Sequence, residues 1–470
     1  MREDHAWTFS DLVPLRRDRP AYLGLAQAIR SAVMEGRIPS GSRLPSERAL
    51  AEMAGLSRTT TTSAYRELVR TGWATSRQGS GTVIGLPLAD RPPTRPLIPG
   101  RSKDAIDLAT AAGLAPDGLD DLVDRALRWL PEAFSGTGYE PFGTTYLRQR
   151  IAAWYTSRNL VTTPEQITVT PGAFAALNVV LRVVPMLGRH MIADSPTYPN
   201  AISAAKALRA RLATVALDEH GWNIRQWSAA IARVHPSAAY LIPDFHNPTG
   251  QLMDDDTRRQ LAHLLKRANC LPIIDETTWP LNLDDVVMPE PFAAYLPDAF
   301  TLGSLSKAVW GGIRLGWIRS PPSLAAKVRD TQLTLNFGAS MIDQLIATSF
   351  FDDPGTILKQ TLRRMKQARA EWLTHLNDLL PDWRVQSPVG GLSLWVGLPE
   401  PLAAALCLMA ASHGLDVLPG STFSPDHTQA NRLRIPLTLP PGTTADAATR
   451  LRDAWEDTIG REHDPKPFAA

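Results

Sequence analysis

Seven apolar, strand-like runs alternate with helical stretches between Ile167 and Arg319, and no other feature narrows the fold as far. The runs are Ile167–Thr170, His190–Ala193, Ala213–Leu217, Ala238–Pro243, Leu271–Asp275, Phe300–Gly303 and Leu315–Arg319. Strands and helices in alternation build an α/β domain around a mainly parallel sheet, so a parallel-rich seven-stranded sheet is expected. From about Pro354 the pattern changes. Long helical stretches at Gly355–Leu380 and Pro401–His413 are each followed by a short strand, Leu392–Val396 and Arg432–Pro436. This predicts a smaller C-terminal α+β domain.

The chain has 470 residues, too many for one core, and two or three domains are expected. No run approaches the ~20 apolar residues of a membrane span. The start, MREDHAWTFSDLV, lacks the apolar stretch of a signal peptide. The two cysteines, Cys270 and Cys407, have no metal-ligand spacing. A cytoplasmic protein without structural disulfides or a metal site is the expectation. Charge is unevenly spread. Residues 1–85 hold 12 Arg, no Lys and 8 acidic residues, a net of +4, which leaves −2 for the rest of a +2 chain. A basic head on a slightly acidic body points to an anionic partner for the head.

That head has its own pattern. Ala21–Glu35 places Leu23, Leu25, Ala26, Ile29 and Val33 near one helical face. A second short helix follows Ser46, its N-cap, and runs to Ala54. Gly55-Leu56 makes a turn, and Ser57 caps a third helix, Arg58 to Arg70, with Ala64, Tyr65 and Leu68 inward. Trp73–Ser76 and Thr82–Ile84 flank a glycine-rich tip, Arg77-Gln78-Gly79-Ser80-Gly81, and read as a hairpin. Three helices and a hairpin describe a winged helix-turn-helix. The third helix opens on Arg58-Thr59-Thr60-Thr61-Thr62, a small polar turn suited to a major groove. Threonines are mediocre helix formers, so propensity does not account for the run. The plainer alternative is a three-helix adaptor with a solvated threonine face. Residues 85–105 carry five prolines and read as a stiff, extended linker.

In the body, motifs sit at the ends of the strand-like runs. Lys307 lies in a Ser- and Gly-rich turn, Ser304-Leu305-Ser306-Lys307, with Arg314 seven residues on. This reads as a Schiff-base lysine beside a phosphate-binding turn: the amine suits the aldehyde of pyridoxal phosphate (PLP), and Ser304, Ser306 and Arg314 suit its phosphate. Pro171-Gly172-Ala173-Phe174 follows one strand and opens a helix, where free N–H groups can hold phosphate. Tyr198, in Pro196-Thr197-Tyr198-Pro199-Asn200, can stack on a pyridine ring or simply fill a turn. Asn247, in His246-Asn247-Pro248-Thr249-Gly250, can donate to a ring phenolate. Asp275 ends an apolar strand, as a helix cap or as partner to a pyridinium nitrogen.

Two resemblances follow from these words. Gly41-x-x-Leu44-Pro45-Ser46-Glu47-Arg48-x-Leu50-Ala51, Leu56-Ser57-Arg58-x-Thr60, Ala64-Tyr65-x-x-Leu68 and Gly79-Ser80-Gly81-Thr82-Val83 together resemble the GntR-type DNA-binding domain. The resemblance implies DNA contacts from Arg43, Arg48 and Arg58, with Ser46, Ser57, Thr59 and Thr60 beside them. It places the glycine tip, Gly79 and Gly81, in the minor groove. The body motifs, in their order, resemble fold-type I, class I/II aminotransferases. That implies Lys307 as the covalent anchor, Asp275 on the ring nitrogen, Asn247 on the phenolate and Tyr198 stacked. Gly172, Ala173, Phe174, Ser304, Ser306 and Arg314 would hold the phosphate. Tyr139, in Tyr139-Glu140-Pro141-Phe142-Gly143, would reach a partner subunit's phosphate. Arg434 would clamp a carboxylate, with Asn247 also facing substrate or effector. One departure stands out: the family's tyrosine two or three residues after the aspartate is here Thr277 or Thr278.

Head, linker and body in this order resemble the MocR/GabR group of GntR-family regulators. The expected architecture is α/β multidomain: a winged helix-turn-helix over 1–84, a linker over 85–105, and a PLP-dependent transferase body over 106–465. The resemblance implies a transcription factor that senses PLP, an amino compound, or both. It also implies double-stranded operator DNA as partner, a homodimer with exchanged heads, and at most slow or half-reaction transaminase chemistry. The rival is an active aminotransferase whose head targets it to DNA.

Overall fold

A computed structural model describes residues 20–34, 38, 42–77, 81–84, 105–425 and 428–463. The expected linker, apart from Ala105, and the tip glycine Gly79 lie outside the described residues.

The head comprises α1 (Ala21–Met34), α2 (Glu47–Ala54), α3 (Arg58–Arg70), β1 (Ala74–Arg77) and β2 (Gly81–Ile84). Ser46 caps α2 by accepting from the Ala49 N–H, and Ser57 caps α3 by accepting from the Thr60 N–H. Each satisfies one of the free amides at a helix start. Gly55, left-handed at φ +62°, stops α2 and turns the chain into α3. Leu25, Ile29, Leu50, Ala64, Tyr65 and Leu68 close the core between the helices. The Tyr65 hydroxyl donates to the Pro45 carbonyl at 2.8 Å, and Thr62 donates to Glu47 at 2.7 Å, which together lock α3 onto α2.

All seven expected body strands form. Their order is Ile167–Thr170, Gly316–Arg319, Phe300–Ser304, Leu271–Asp275, Ala238–Leu241, His190–Ser195 and Arg211–Asp218. Only Gly316–Arg319 runs against the rest. Helices cover both faces, and the central strands are buried throughout, as parallel sheets require. The seven-strand expectation is corrected by one. A two-residue strand, Gly221–Trp222, folds back antiparallel on Arg211–Asp218 and makes eight. The turn is local chemistry: Asp218 accepts from the His220 N–H at 2.8 Å, and Gly221 takes φ +89°. Two residues carry no periodicity, so the pattern passed over them.

The C-terminal part is a four-stranded antiparallel sheet (Arg384–Val385, Ser393–Gly397, Arg432–Pro436, Leu418–Pro419). Three helices pack with it, Pro354–Leu379, Ala403–Ser412 and Thr444–His463. The first body strand, Ile106–Asp107, pairs with Leu415–Asp416 of this subdomain. Ala404 and Leu408 of the Ala403–Ser412 helix also pack against the head's core.

Candidate functional site

Because four of the five motif-bearing strands are parallel neighbours, their carboxyl ends open on one edge of the sheet, where ligands of open α/β sheets collect. Asp275 closes one strand, in register with Leu302 of the next. The Thr170, Ser195 and Ser304 ends deliver the Gly172, Tyr198 and Lys307 turns. Asn247 follows Leu241 by a loop that the buried Arg258 pins through Pro243, Met253 and Asp244.

Lys307 Nζ donates to the Ala111 carbonyl at 2.7 Å. Burial first, then the Arg434 and Arg314 guanidinium groups, lower its pKa to about 8, against the pull of Asp275. About a tenth of such amines are neutral at pH 7, against roughly one in three thousand for an ordinary lysine. The neutral amine is the nucleophile that a carbonyl partner needs.

Asp275 is held from two sides. Tyr240, on the neighbouring strand, donates its hydroxyl to Oδ2 at 2.6 Å, and the Thr277 N–H donates to Oδ1 at 3.0 Å. Burial and the carboxylate push the Tyr240 phenol well above its usual range, so it stays a neutral donor. Thr278 spends its hydroxyl on the Asp244 carbonyl at 2.7 Å, and Thr277 contributes its backbone. Tyr198 accepts from Asn200 Nδ2 at 3.0 Å, and burial, then Asp275, push its phenol up to about 12.

The phosphate turn is built on close approach. Gly172 precedes the Ala173–Val183 helix at φ +89°, and a Cβ there would lie 2.8 Å from Arg314 Nη2. A side chain there would displace the guanidinium. A Cβ on Gly316 would come within 2.6 Å of the Ala173 nitrogen. Ser306 sits 3.5 Å from Arg314 Nη1. Ser304 donates to the Leu315 carbonyl at 3.0 Å and accepts from the Ser306 N–H at 3.1 Å, so its hydroxyl braces the turn.

Arg434 is 2% exposed, donates to the Ala109 carbonyl and leaves its buried Nε without a partner among the described residues. Burial lowers its pKa to about 10, opposed by Asp107 and Tyr198. Asn247 Oδ1 is likewise buried and unpartnered among the described residues. Orphaned polar atoms in a buried wall need a ligand group or water. With the amine, the carboxylate and the glycine cradle, they fit a phosphorylated pyridine aldehyde. Tyr139 stands elsewhere: it is 70% exposed, beside Phe337 at 6.1 Å between ring centroids. Sequence reading missed Tyr240, although a lone hydroxyl in the apolar run 238–243 was a usable signal. It also missed the Ala109 and Ala111 carbonyls, which no residue type announces.

On the head, Arg58 and Thr59 are exposed at the start of α3. The Thr60 hydroxyl lies 2.8 Å from that of Ser57. Arg48 is exposed in an i,i+4 pair with Glu52 at 3.1 Å. The Arg43 guanidinium lies over Gly81, where a Cβ would meet its Nε at 2.8 Å.

Comparison with known proteins agrees with both halves. Residues 21–84 match the bacterial regulatory proteins, gntR family, and residues 104–451 match aminotransferase class I and II. An uncharacterized HTH-type transcriptional regulator of Escherichia coli K12, YdcR, is 29% identical over 435 residues, 86% of this chain and 92% of that one. The probable rhizopine catabolism regulatory protein MocR of Rhizobium meliloti is 24% identical, over 75% of this chain and 76% of its own. Among solved structures, the α-aminoadipate aminotransferase LysN of Thermus thermophilus superposes with a TM-score of 0.70 at 24% identity. That match covers 76% of this chain and 94% of LysN. The chain therefore belongs to the aminotransferase class I and II family and carries a gntR-family DNA-binding segment at its head.

Proposed function

We propose that the protein is a MocR/GabR-type transcriptional regulator that binds operator DNA through its head and PLP through its body. One observation carries the reading: the start of α3 is open to solvent, while Lys307, Asp275, Gly172 and Arg314 still converge in the body. A regulator needs both, and a spent body would have kept neither the depressed lysine nor the cradle. The division is head 1–84, linker 85–105 and body 106–465. The protein acts in the cytoplasm; among the described residues no helix is long and apolar enough to cross a membrane.

PLP, when bound, supplies an aldehyde and an electron-withdrawing ring. The chain does the rest. Lys307 presents a partly neutral amine. Asp275, fixed by Tyr240, would meet the ring nitrogen, Asn247 the phenolate, and Tyr198 would stack. Gly172, Ala173, Phe174, Ser304, Ser306 and Arg314 would hold the phosphate at the helix start. Arg434 receives the carboxylate of an amino compound in the fork geometry that suits it. On DNA, Arg58 and Thr59 meet bases or backbone. Arg43 and Arg48 contact phosphates, Ser46, Ser57 and Thr60 shape the two helix starts, and the wing tip at Gly79 and Gly81 enters the minor groove.

The body works as a dimer. Trp129, Phe134, Tyr139 and Phe337 are 57–73% exposed, more aromatic surface than a monomer leaves in water. Tyr139 then reaches the partner's phosphate. The linker's 21 residues span at most about 70 Å, so each head can cross to the neighbouring body.

The test uses the purified full chain. Borohydride treatment followed by peptide mapping is expected to label Lys307, and footprinting on the upstream DNA of its own gene is expected to show protection. Steady multiple-turnover transamination at ordinary enzyme rates would instead support the targeted-aminotransferase rival.

A further inference from the structure

The Ala403–Ser412 helix reads AAALCLMAAS and carries no charge on any side. A helix with no charged face needs cover on more than one side. Ala403, Ala405, Leu406, Cys407, Met409 and Ala410 account for one side, inside the core of the C-terminal subdomain. Of the remaining positions Ala411 and Ser412 are exposed, while Ala404 and Leu408 lie four apart on one face. These two are half-buried, and what they pack against is the core of the head. Tyr22 of α1 joins the same cluster.

We infer that the Ala404–Leu408 face is a seat that holds the DNA-binding head in a fixed orientation on the subdomain that carries Arg434. The inference rests on the regulator reading above and adds how the head is positioned. Two observations give it direction. First, the seat takes the head from the α1 side, while Ser57, Arg58 and Thr59 remain exposed. A seated head can therefore still read DNA: the seat aims the head and does not mask it. Second, the seat is mechanically continuous with Arg434. The Ala403 N–H donates to the Ala430 carbonyl at 3.1 Å, two residues before the Arg432–Pro436 strand. That strand pairs on both sides within the subdomain sheet. A carboxylate that draws on Arg434 pulls the unit on which the head rests. When two chains pair, the same face serves the neighbour's head, since a swap exchanges identical contacts.

The consequence is geometric. Two heads held on two seats present their α3 helices at one separation, and an operator with two half-sites is read at that spacing. Heads on loose linkers tolerate many spacings and gain less from the second contact.

The experiment compares the full chain with Leu408→Asp and with Leu408→Met. Hydrogen exchange of residues 21–34 reads the seat directly, without DNA or ligand. Leu408→Asp is expected to speed exchange there, with Leu408→Met close to the parent and PLP uptake equal in all three. On DNA with two half-sites at the preferred spacing, Leu408→Asp is expected to bind roughly tenfold more weakly, with affinity for a single half-site unchanged. Unaltered exchange in residues 21–34 overturns the seat. Equal loss on single and paired half-sites overturns its role in orientation. Failure of the parent protein to bind any DNA counts against the regulator reading alone, because the exchange result judges the seat independently.

Discussion

At the scale of single residues the site turns on two groups. Lys307 sits among cationic groups in a desolvated wall, and its pKa of about 8 makes a pH prediction with a definite sign. Below that value the amine is mostly protonated and inert. The rate of covalent PLP attachment is therefore expected to rise about tenfold per pH unit up to pH ~8 and to level off above it. Stopped-flow absorbance follows it directly, and a rise continuing to pH ~10 would place the lysine in an ordinary environment. Lys307→Ala removes the covalent band and leaves only phosphate-anchored binding. The second group is Tyr240, whose hydroxyl holds Asp275 from the neighbouring strand while the Thr277 N–H holds its other oxygen. A hydrogen bond to a charged acceptor contributes about 1.5–3 kcal/mol. Tyr240→Phe is expected to weaken PLP roughly tenfold or more and to shift the pH midpoint of its visible band. The residue is buried, so a thermal melt separates this from unfolding, and an unmoved midpoint would reduce Tyr240 to core packing.

At the scale of elements, the proposed contacts to phosphate and to DNA fall at helix starts. The turn at Gly172 needs φ +89° and contact with Arg314. Gly172→Ala adds about 1–3 kcal/mol of backbone strain and displaces the guanidinium. Weaker binding of PLP and of inorganic phosphate alike is expected by isothermal titration, and affinities unchanged from the parent would contradict the cradle. On the head, Arg58→Ala is expected to leave PLP binding intact and weaken DNA binding. A phosphate contact would lower the salt slope by about one unit on every sequence. A guanine contact would cost about 1–3 kcal/mol on the operator alone. Gel-shift titrations at several salt concentrations distinguish them.

These elements were readable because they are periodic or chemically distinctive. The seven strands announced themselves as apolar runs, and the caps at Ser46 and Ser57 as hydroxyls before helices. What escaped reading was set by tertiary contact. The Gly221–Trp222 strand is shorter than any period. The carbonyls of Leu315 and Ile313, to which the Ser304 and Ser306 hydroxyls donate, are likewise set by the fold. Ala109 and Ala111 act through carbonyls that every residue has, and only the fold brings them to Arg434 and Lys307.

At the scale of the molecule, the head's core packs against Ala404 and Leu408 of the subdomain that carries Arg434, and the two ends are expected to form one switch. Linkage makes that claim symmetric: whatever factor PLP applies to operator affinity, the operator applies to PLP affinity. Couplings of this kind are typically about 1–3 kcal/mol, or roughly 5–150-fold. The decisive measurement is a pair of fluorescence titrations on the full chain, operator with and without saturating PLP, and PLP with and without saturating operator. One shared switch predicts shifts of equal size, at least about fivefold. Operator affinity that is the same with and without PLP would contradict it.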